Sequence, residues 1–114
     1  MGRNDEALIQ VKIVKYLQSR GIYFFSVPNE AAAENKIRQM QLVSMGLRSG
    51  VSDLIMLYPK RSLTFLEVKT QKGKQSDKQK KFESRVCEHG FKYYVVRSVE
   101  DVAEILTRID QGGS

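Results

Sequence analysis

Val51-Ser52-Asp53-Leu54-Ile55-Met56-Leu57-Tyr58 and Ser62-Leu63-Thr64-Phe65-Leu66-Glu67-Val68-Lys69, joined by Pro59-Lys60-Arg61, form the stretch whose reading decides the fold. Two apolar, partly β-branched runs on either side of a short turn-forming link read as a β-hairpin. With the turn centred between Lys60 and Arg61, directly opposed residues carry numbers that sum to about 121. Asp53 and Glu67 come within one of that sum, so the two carboxylates are expected to be near neighbours across the strand pair. Side chains alternate along a strand, which puts Glu67 and Lys69 on one face and Val68 on the other. Asp, Glu and Lys therefore converge on one patch.

Outward from the hairpin the chain alternates between helical and strand patterns. Asp5 to Arg20 reads as a helix closed by Gly21, with an apolar arc wide enough to touch more than one surface. Ile22 to Val27 reads as a strand stopped by Pro28, and Ala31 to Met45 as a second helix with Ile37, Met40 and Val43 or Ser44 on one side. After the hairpin, Ser76-Asp77-Lys78-Gln79 has the capping-box pattern and opens a helix to about Glu88, with Gly90 at its end. Phe91 to Arg97 is another strand, and Ser98 starts a last helix carrying Val102, Ile105, Leu106 and Ile109. Residues 111–114 read as a frayed tail. This order predicts an α/β fold, a mixed central sheet flanked by helices, in a single domain over residues 1–114.

Composition excludes several classes of function. The 114 residues hold one cysteine, Cys87, and one histidine, His89, so an intrachain disulfide and a Cys/His zinc cluster are both out. Nucleophilic triads that need a histidine are out as well, because side chains two apart on a helix diverge. No apolar run approaches the roughly 20 residues of a membrane helix, and MGRNDEALIQ carries acids where a signal peptide needs a basic stretch. A cytoplasmic protein is expected. Nineteen Lys and Arg against 13 Asp and Glu give a net charge of +6, which favours a nucleic-acid partner. The excess is clustered: Lys69, Lys72, Lys74, Lys78, Lys80 and Lys81 share their stretch with a single acid, Asp77. A solvated helix face is the plain alternative for such a run.

Two facing carboxylates repel each other, so their pairing calls for a cation between them. Magnesium suits this arrangement, since it takes one or two carboxylates, keeps several waters and completes its shell with phosphate oxygens. A lysine beside it can orient or deprotonate a water and stabilise charge developing on a phosphate. The alternative without chemistry is an Asp53 that opens a strand and a Glu67–Lys69 surface ion pair.

Gly50-Val51-Ser52-Asp53-Leu54, Glu67-Val68-Lys69-Thr70, Gly73-Lys74-Gln75-Ser76 and Gln79, in this order, resemble the PD-(D/E)XK nuclease superfamily, and within it the small stand-alone VRR-NUC proteins of phages and bacteria. The likeness runs from Glu6 through Val95-Val96-Arg97-Ser98. It implies a restriction-endonuclease-like core, magnesium- or manganese-dependent hydrolysis of DNA phosphodiesters, and a homodimer acting on branched DNA such as four-way junctions. By position, Asp53 and Glu67 would be metal ligands together with the backbone carbonyl of Val68, and Lys69 would position or activate the attacking water. Gln79 matches the family's helix glutamine near the site, or serves only as the cap residue of its helix. Glu6 matches the acid of the family's first helix; with Ile13 and Leu17 about 20° either side of it at helical spacing, it sits mid-arc on an apolar face, where a carboxylate needs a partner, and the metal site would supply one, with Glu6 as a further ligand. Ser52 stands where the family usually has proline, which removes a stiffening element from the start of the strand. Glu30 and Glu34 are further acids that could approach the metal or DNA. Arg38, Arg48, Lys72, Lys74, Lys78, Lys80 and Lys81 are candidate phosphate contacts. Two alternatives share these residues: a nonspecific or nicking nuclease, and a DNA-binding module without catalysis.

Overall fold

In a computed structural model of the chain, which describes residues 3–28, 35–60 and 62–112, the hairpin pairs Leu54 with Leu66, Ile55 with Phe65 and Met56 with Thr64. These pairs centre the turn on Lys60, half a residue from the expected position, and bring Asp53 and Glu67 directly into line. The elements in chain order are α1 (Arg3–Ser19), β1 (Phe24–Ser26), α2 (Lys36–Ser44), β2 (Leu54–Met56), β3 (Thr64–Val68), α3 (Asp77–Glu88), β4 (Lys92–Val96) and α4 (Val99–Asp110). The sheet order is β1-β2-β3-β4, antiparallel as far as β3, with β4 parallel to β3. The α3 crossover makes that parallel pairing possible, since parallel neighbours cannot be joined by a tight turn.

Alternation along β3 divides the molecule. Thr64, Leu66 and Val68 point to one face, where Leu66 and Val68 join Leu54, Met56 and Val96 under Ile13 and Leu17 of α1 and Val102, Ile105 and Leu106 of α4. Burying a side chain such as Leu66 stabilises the fold by ~1.5–3 kcal/mol. Phe65, Glu67 and Lys69 belong to the other face, which α3 covers. Phe82 of α3 meets Phe65 of β3 and Tyr93 of β4 edge-on, at centroid distances of 5.7 and 6.2 Å.

The helix starts follow the expected chemistry. The Ser76 hydroxyl accepts from the Gln79 N–H at 3.2 Å while the Gln79 amide oxygen accepts from the Ser76 N–H at 2.8 Å, a reciprocal cap. Ser98 caps α4 through the Asp101 N–H. Gly50 has φ +82°, and a Cβ there would lie 2.5 Å from the Lys78 carbonyl oxygen, so only glycine lets the 46–50 loop rest on the first turn of α3.

The second helix differs from its expected form. It begins at Lys36, with Asn35 as its cap, and its apolar side is not buried: Ile37 and Met40 are 71% and 69% exposed. The wide arc of α1 is also only partly covered, since Leu8 and Val11 remain exposed while Ile13 and Leu17 are fully buried. The start of the expected second helix at 31–34, the candidate acids Glu30 and Glu34, Arg61 and the last two tail residues lie outside the described residues. No helix among the described residues is long and apolar enough to cross a membrane.

Candidate active site

The β2–β3 ladder stops at Leu54, the first residue of β2 and the one just after Asp53, and this early stop builds the site. Continuing the register would bring the Val68 N–H to a backbone acceptor on Ser52. Instead it donates to Asp53 Oδ2 at 2.7 Å, so the carboxylate takes over the next rung. In an extended strand a residue's N–H and C=O point the same way, which turns the Val68 carbonyl toward the edge where Asp53 sits. Ser52, at the family's proline position, is fully buried, with its hydroxyl 3.4 Å from the Leu54 carbonyl oxygen.

Glu67 is 2% exposed and Lys69 8%, so both charged ends lie under the surface. Lys69 Nζ stands 3.7 Å from Glu67 Oε2, and Gln79 Nε2 donates to the same oxygen at 2.8 Å. The other oxygen, Glu67 Oε1, is buried and has no hydrogen-bond partner. Burial pushes the Glu67 carboxyl up from 4.5 to about 8; the charge of Asp53 pushes the same way, the charge of Lys69 opposes, and Glu6 adds a smaller push. The desolvation cost therefore outweighs the pull of one lysine.

Gln79 fills both of the roles its position allows. Its amide oxygen completes the cap and its amide nitrogen holds Glu67, so the helix start and the carboxylate are positioned by one side chain. Glu6 is half-buried and acts on Glu67 through its charge. Among the described residues no three His, Cys, Asp or Glu side chains stand close enough to share one ion. The oxygens gathered here are those of Asp53, Glu67 and the Val68 carbonyl. An all-oxygen set with an orphaned, buried carboxylate oxygen fits a hard divalent cation, whose remaining positions are taken by water and phosphate. It does not fit a soft one.

The candidate phosphate contacts are all exposed. Arg48, Lys78 and Lys81 converge with Arg85 around a cavity of about 750 Å³ beside the site. Arg38 on α2, Lys74 and Lys80 are not among its lining residues. Lys72 sits on the turn after Lys69, and here the structure adds a residue the sequence did not single out. Arg97 Nη1 donates to the carbonyls of Thr70, Gly73 (2.7 Å) and Gln71 (3.3 Å), tying that turn to the end of β4. Gln75 likewise links Glu83 and Tyr93, at 3.0 and 3.3 Å. Parity along β3 would have placed Phe65 beside Glu67; nothing in the local pattern marks Arg97, whose partners are 24 to 27 residues away.

A hairpin feeding a parallel strand through a helix, with two carboxylates and a buried lysine at its open end, defines a nuclease-type α/β domain. The profile of the VRR-NUC domain matches residues 4–100, and the chain belongs to that family. A solved VRR_NUC domain is 21% identical and superposes with a TM-score of 0.66, covering 90% of this chain and 95% of its own. A solved VRR_NUC domain protein is 15% identical with a TM-score of 0.74, covering 96% of this chain and 91% of its own. At these identities the likeness is one of fold. No curated protein matches the chain. Membership implies a nuclease with DNA as its substrate, in a family that generally uses divalent metals.

Proposed function

We propose that the chain is a magnesium- or manganese-dependent endodeoxyribonuclease, a single-domain enzyme that works as a homodimer in the cytoplasm and hydrolyses phosphodiester bonds in branched DNA such as four-way junctions. The observation that carries this reading is the Asp53–Glu67–Lys69 cluster, with Glu67 and Lys69 buried and one Glu67 oxygen unpartnered. Asp53 Oδ1, Glu67 Oε1 and the Val68 carbonyl would hold the cation. When bound, it neutralises charge on the scissile phosphate and makes water more acidic. Lys69 Nζ, held against Glu67, would orient the attacking water and face the negative charge that develops on the phosphoryl oxygens. Gln79 holds the Glu67 side chain by its Oε2 and leaves Oε1 free, and the exposed lysines would engage the flanking phosphates.

Incubating the protein with labelled four-way, flap and linear duplex DNA tests the reading. Cleavage is expected with magnesium or manganese and not with calcium, whose larger, more flexible shell supports binding without productive geometry. Undiminished cleavage after exhaustive EDTA treatment would overturn the metal-dependent mechanism. Saturable binding with no cleavage in either metal would leave a DNA-binding module, and equal cleavage of all three DNAs a nonspecific nuclease. Salt provides a second measurement. Each lysine that contacts a phosphate should, when changed to Ala, lower the log–log salt slope of binding by roughly 0.9. A slope unchanged after neutralising Lys72, Lys74 and Lys78 together would return that run to solvated surface. Support for the dimer comes from Leu8 and Val11, which are exposed on the same helix whose Ile13 and Leu17 are fully buried. A two-fold pair of sites would place nicks on two strands of a symmetric junction. A monomeric mass at micromolar concentration, with and without junction DNA, would refute it.

A further inference from the structure

The cavity beside the carboxylates has a composition the hydrolytic reading does not use. Its floor is aromatic. Phe65, Phe82 and Phe91 meet edge-on, with Phe65 5.7 Å from Phe82 and 6.4 Å from Phe91, and Phe91 is 39% exposed. Its rim is formed by the cations Arg48, Lys78, Lys81 and Arg85 with the ring of His89 beside them, and among the described residues no acid lines it. At about 750 Å³ it lies in the size range of small-ligand pockets. It is also continuous with the active site along two elements. Phe65 is two residues before Glu67 on the same face of β3, about 7 Å along the strand. Phe82 is one turn beyond Gln79 on α3.

A paired duplex offers such a floor its backbone and base edges but no base face, because its bases are stacked inside the helix. Phosphates would satisfy the rim and leave three phenylalanine faces in water. An unpaired nucleotide satisfies both, since its base has a π-face and apolar area while its flanking phosphates are anionic. We infer that this cavity is a subsite for one unpaired base of the substrate strand, next to the bond that is cut. The inference rests on the nuclease reading for its position relative to the cut. It gives that reading a physical basis for preferring branched DNA: a flap or gap supplies an unpaired base outright, and a pair at the open centre of a junction costs less to break than one inside a duplex.

The test is a binding measurement in EDTA, so that it does not depend on cleavage. Two duplexes are compared, identical except that a single unpaired nucleotide in the middle of one strand carries its base in one and is abasic in the other. The base-bearing DNA is expected to bind about tenfold more tightly, the increment one stacked base supplies. Phe91→Ala, a change at the exposed edge of the floor, should bring the ratio of the two affinities close to one; Phe91→Trp, which keeps a ring there, should preserve it. A ratio near one in the parent protein, or a ratio left intact by Phe91→Ala, overturns the subsite. The four-way junction incubated with magnesium or manganese addresses the other question separately. Absence of cleavage there defeats the nuclease reading, whatever the affinity ratio, whereas cleavage with a ratio of one defeats only the subsite.

Discussion

Asp53→Asn should lose at least ~100-fold in cleavage, more than the loss typical of disturbing a residue behind a metal ligand, while melting in EDTA no lower than the parent. The two halves of this expectation have different origins. Asparagine keeps an oxygen at the position that accepts from the Val68 N–H, so the rung that replaces the end of the β2–β3 ladder survives. What disappears is one charge from a place where Asp53 pushes against Glu67. Without a cation that repulsion acts once Glu67 is ionised, as pH passes about 8, and removing it there favours the fold. Asp53→Ala should behave differently, because it strands a buried N–H, and should melt lower by the equivalent of ~1–3 kcal/mol. DNA binding by Asp53→Asn should be equal or tighter, since an acid facing phosphate has been neutralised. A variant clearly destabilised in EDTA that still cleaves in magnesium would remove Asp53 from the metal site and leave it a strand-end residue.

The parts of this molecule that sequence could reveal are those specified by neighbours along the chain. Hairpin register follows from turn position, so Asp53 and Glu67 could be paired from their numbers alone, to within half a residue. Ser76 and Gln79 are three apart and form their cap locally. The crossover and final strand follow from period and length. Two kinds of feature escaped. One is the dual use of Gln79: the cap is local, but its hold on Glu67 depends on how α3 lies across the sheet, which no spacing within α3 reports. The other is the group of contacts made by Arg97 and by the Phe65–Phe82–Phe91 cluster, which join strand, helix and loop through separations set by tertiary packing. The second helix shows the opposite failure. Its apolar residues have helical spacing, but periodicity states only that they share a side, and in the folded chain that side faces outward.

The stability of the metal-free protein should fall as pH rises from about 5 to about 8, with Glu67 as the cause. Its folded-state carboxyl titrates at about 8, against an ordinary value of 4.5. Between these values the unfolded chain has released this proton and the folded chain still holds it. Fewer protons on the unfolded state mean that stability decreases with pH, at a limiting slope of about 1.4 kcal/mol per pH unit for one proton. The contribution is fully present below the unfolded value and is lost as pH passes through the folded one. Other groups titrate in the same window, so the informative quantity is the difference between the parent and Glu67→Gln. Glutamine keeps an oxygen to accept from Gln79 and has no charge to bury, so the variant should gain on the parent steadily as pH rises toward 8 in EDTA. Magnesium should flatten the parent's curve, because a cation at Oε1 takes the place of the proton and favours the ionised carboxylate. By the same competition, cleavage at limiting magnesium should rise with pH over this window. Melting curves of the two proteins at pH 5, 6.5 and 8, with and without magnesium, measure all of this together. Parallel curves in EDTA would mean that Glu67 is already ionised without metal, and that Lys69 outweighs burial in setting the charge of the site.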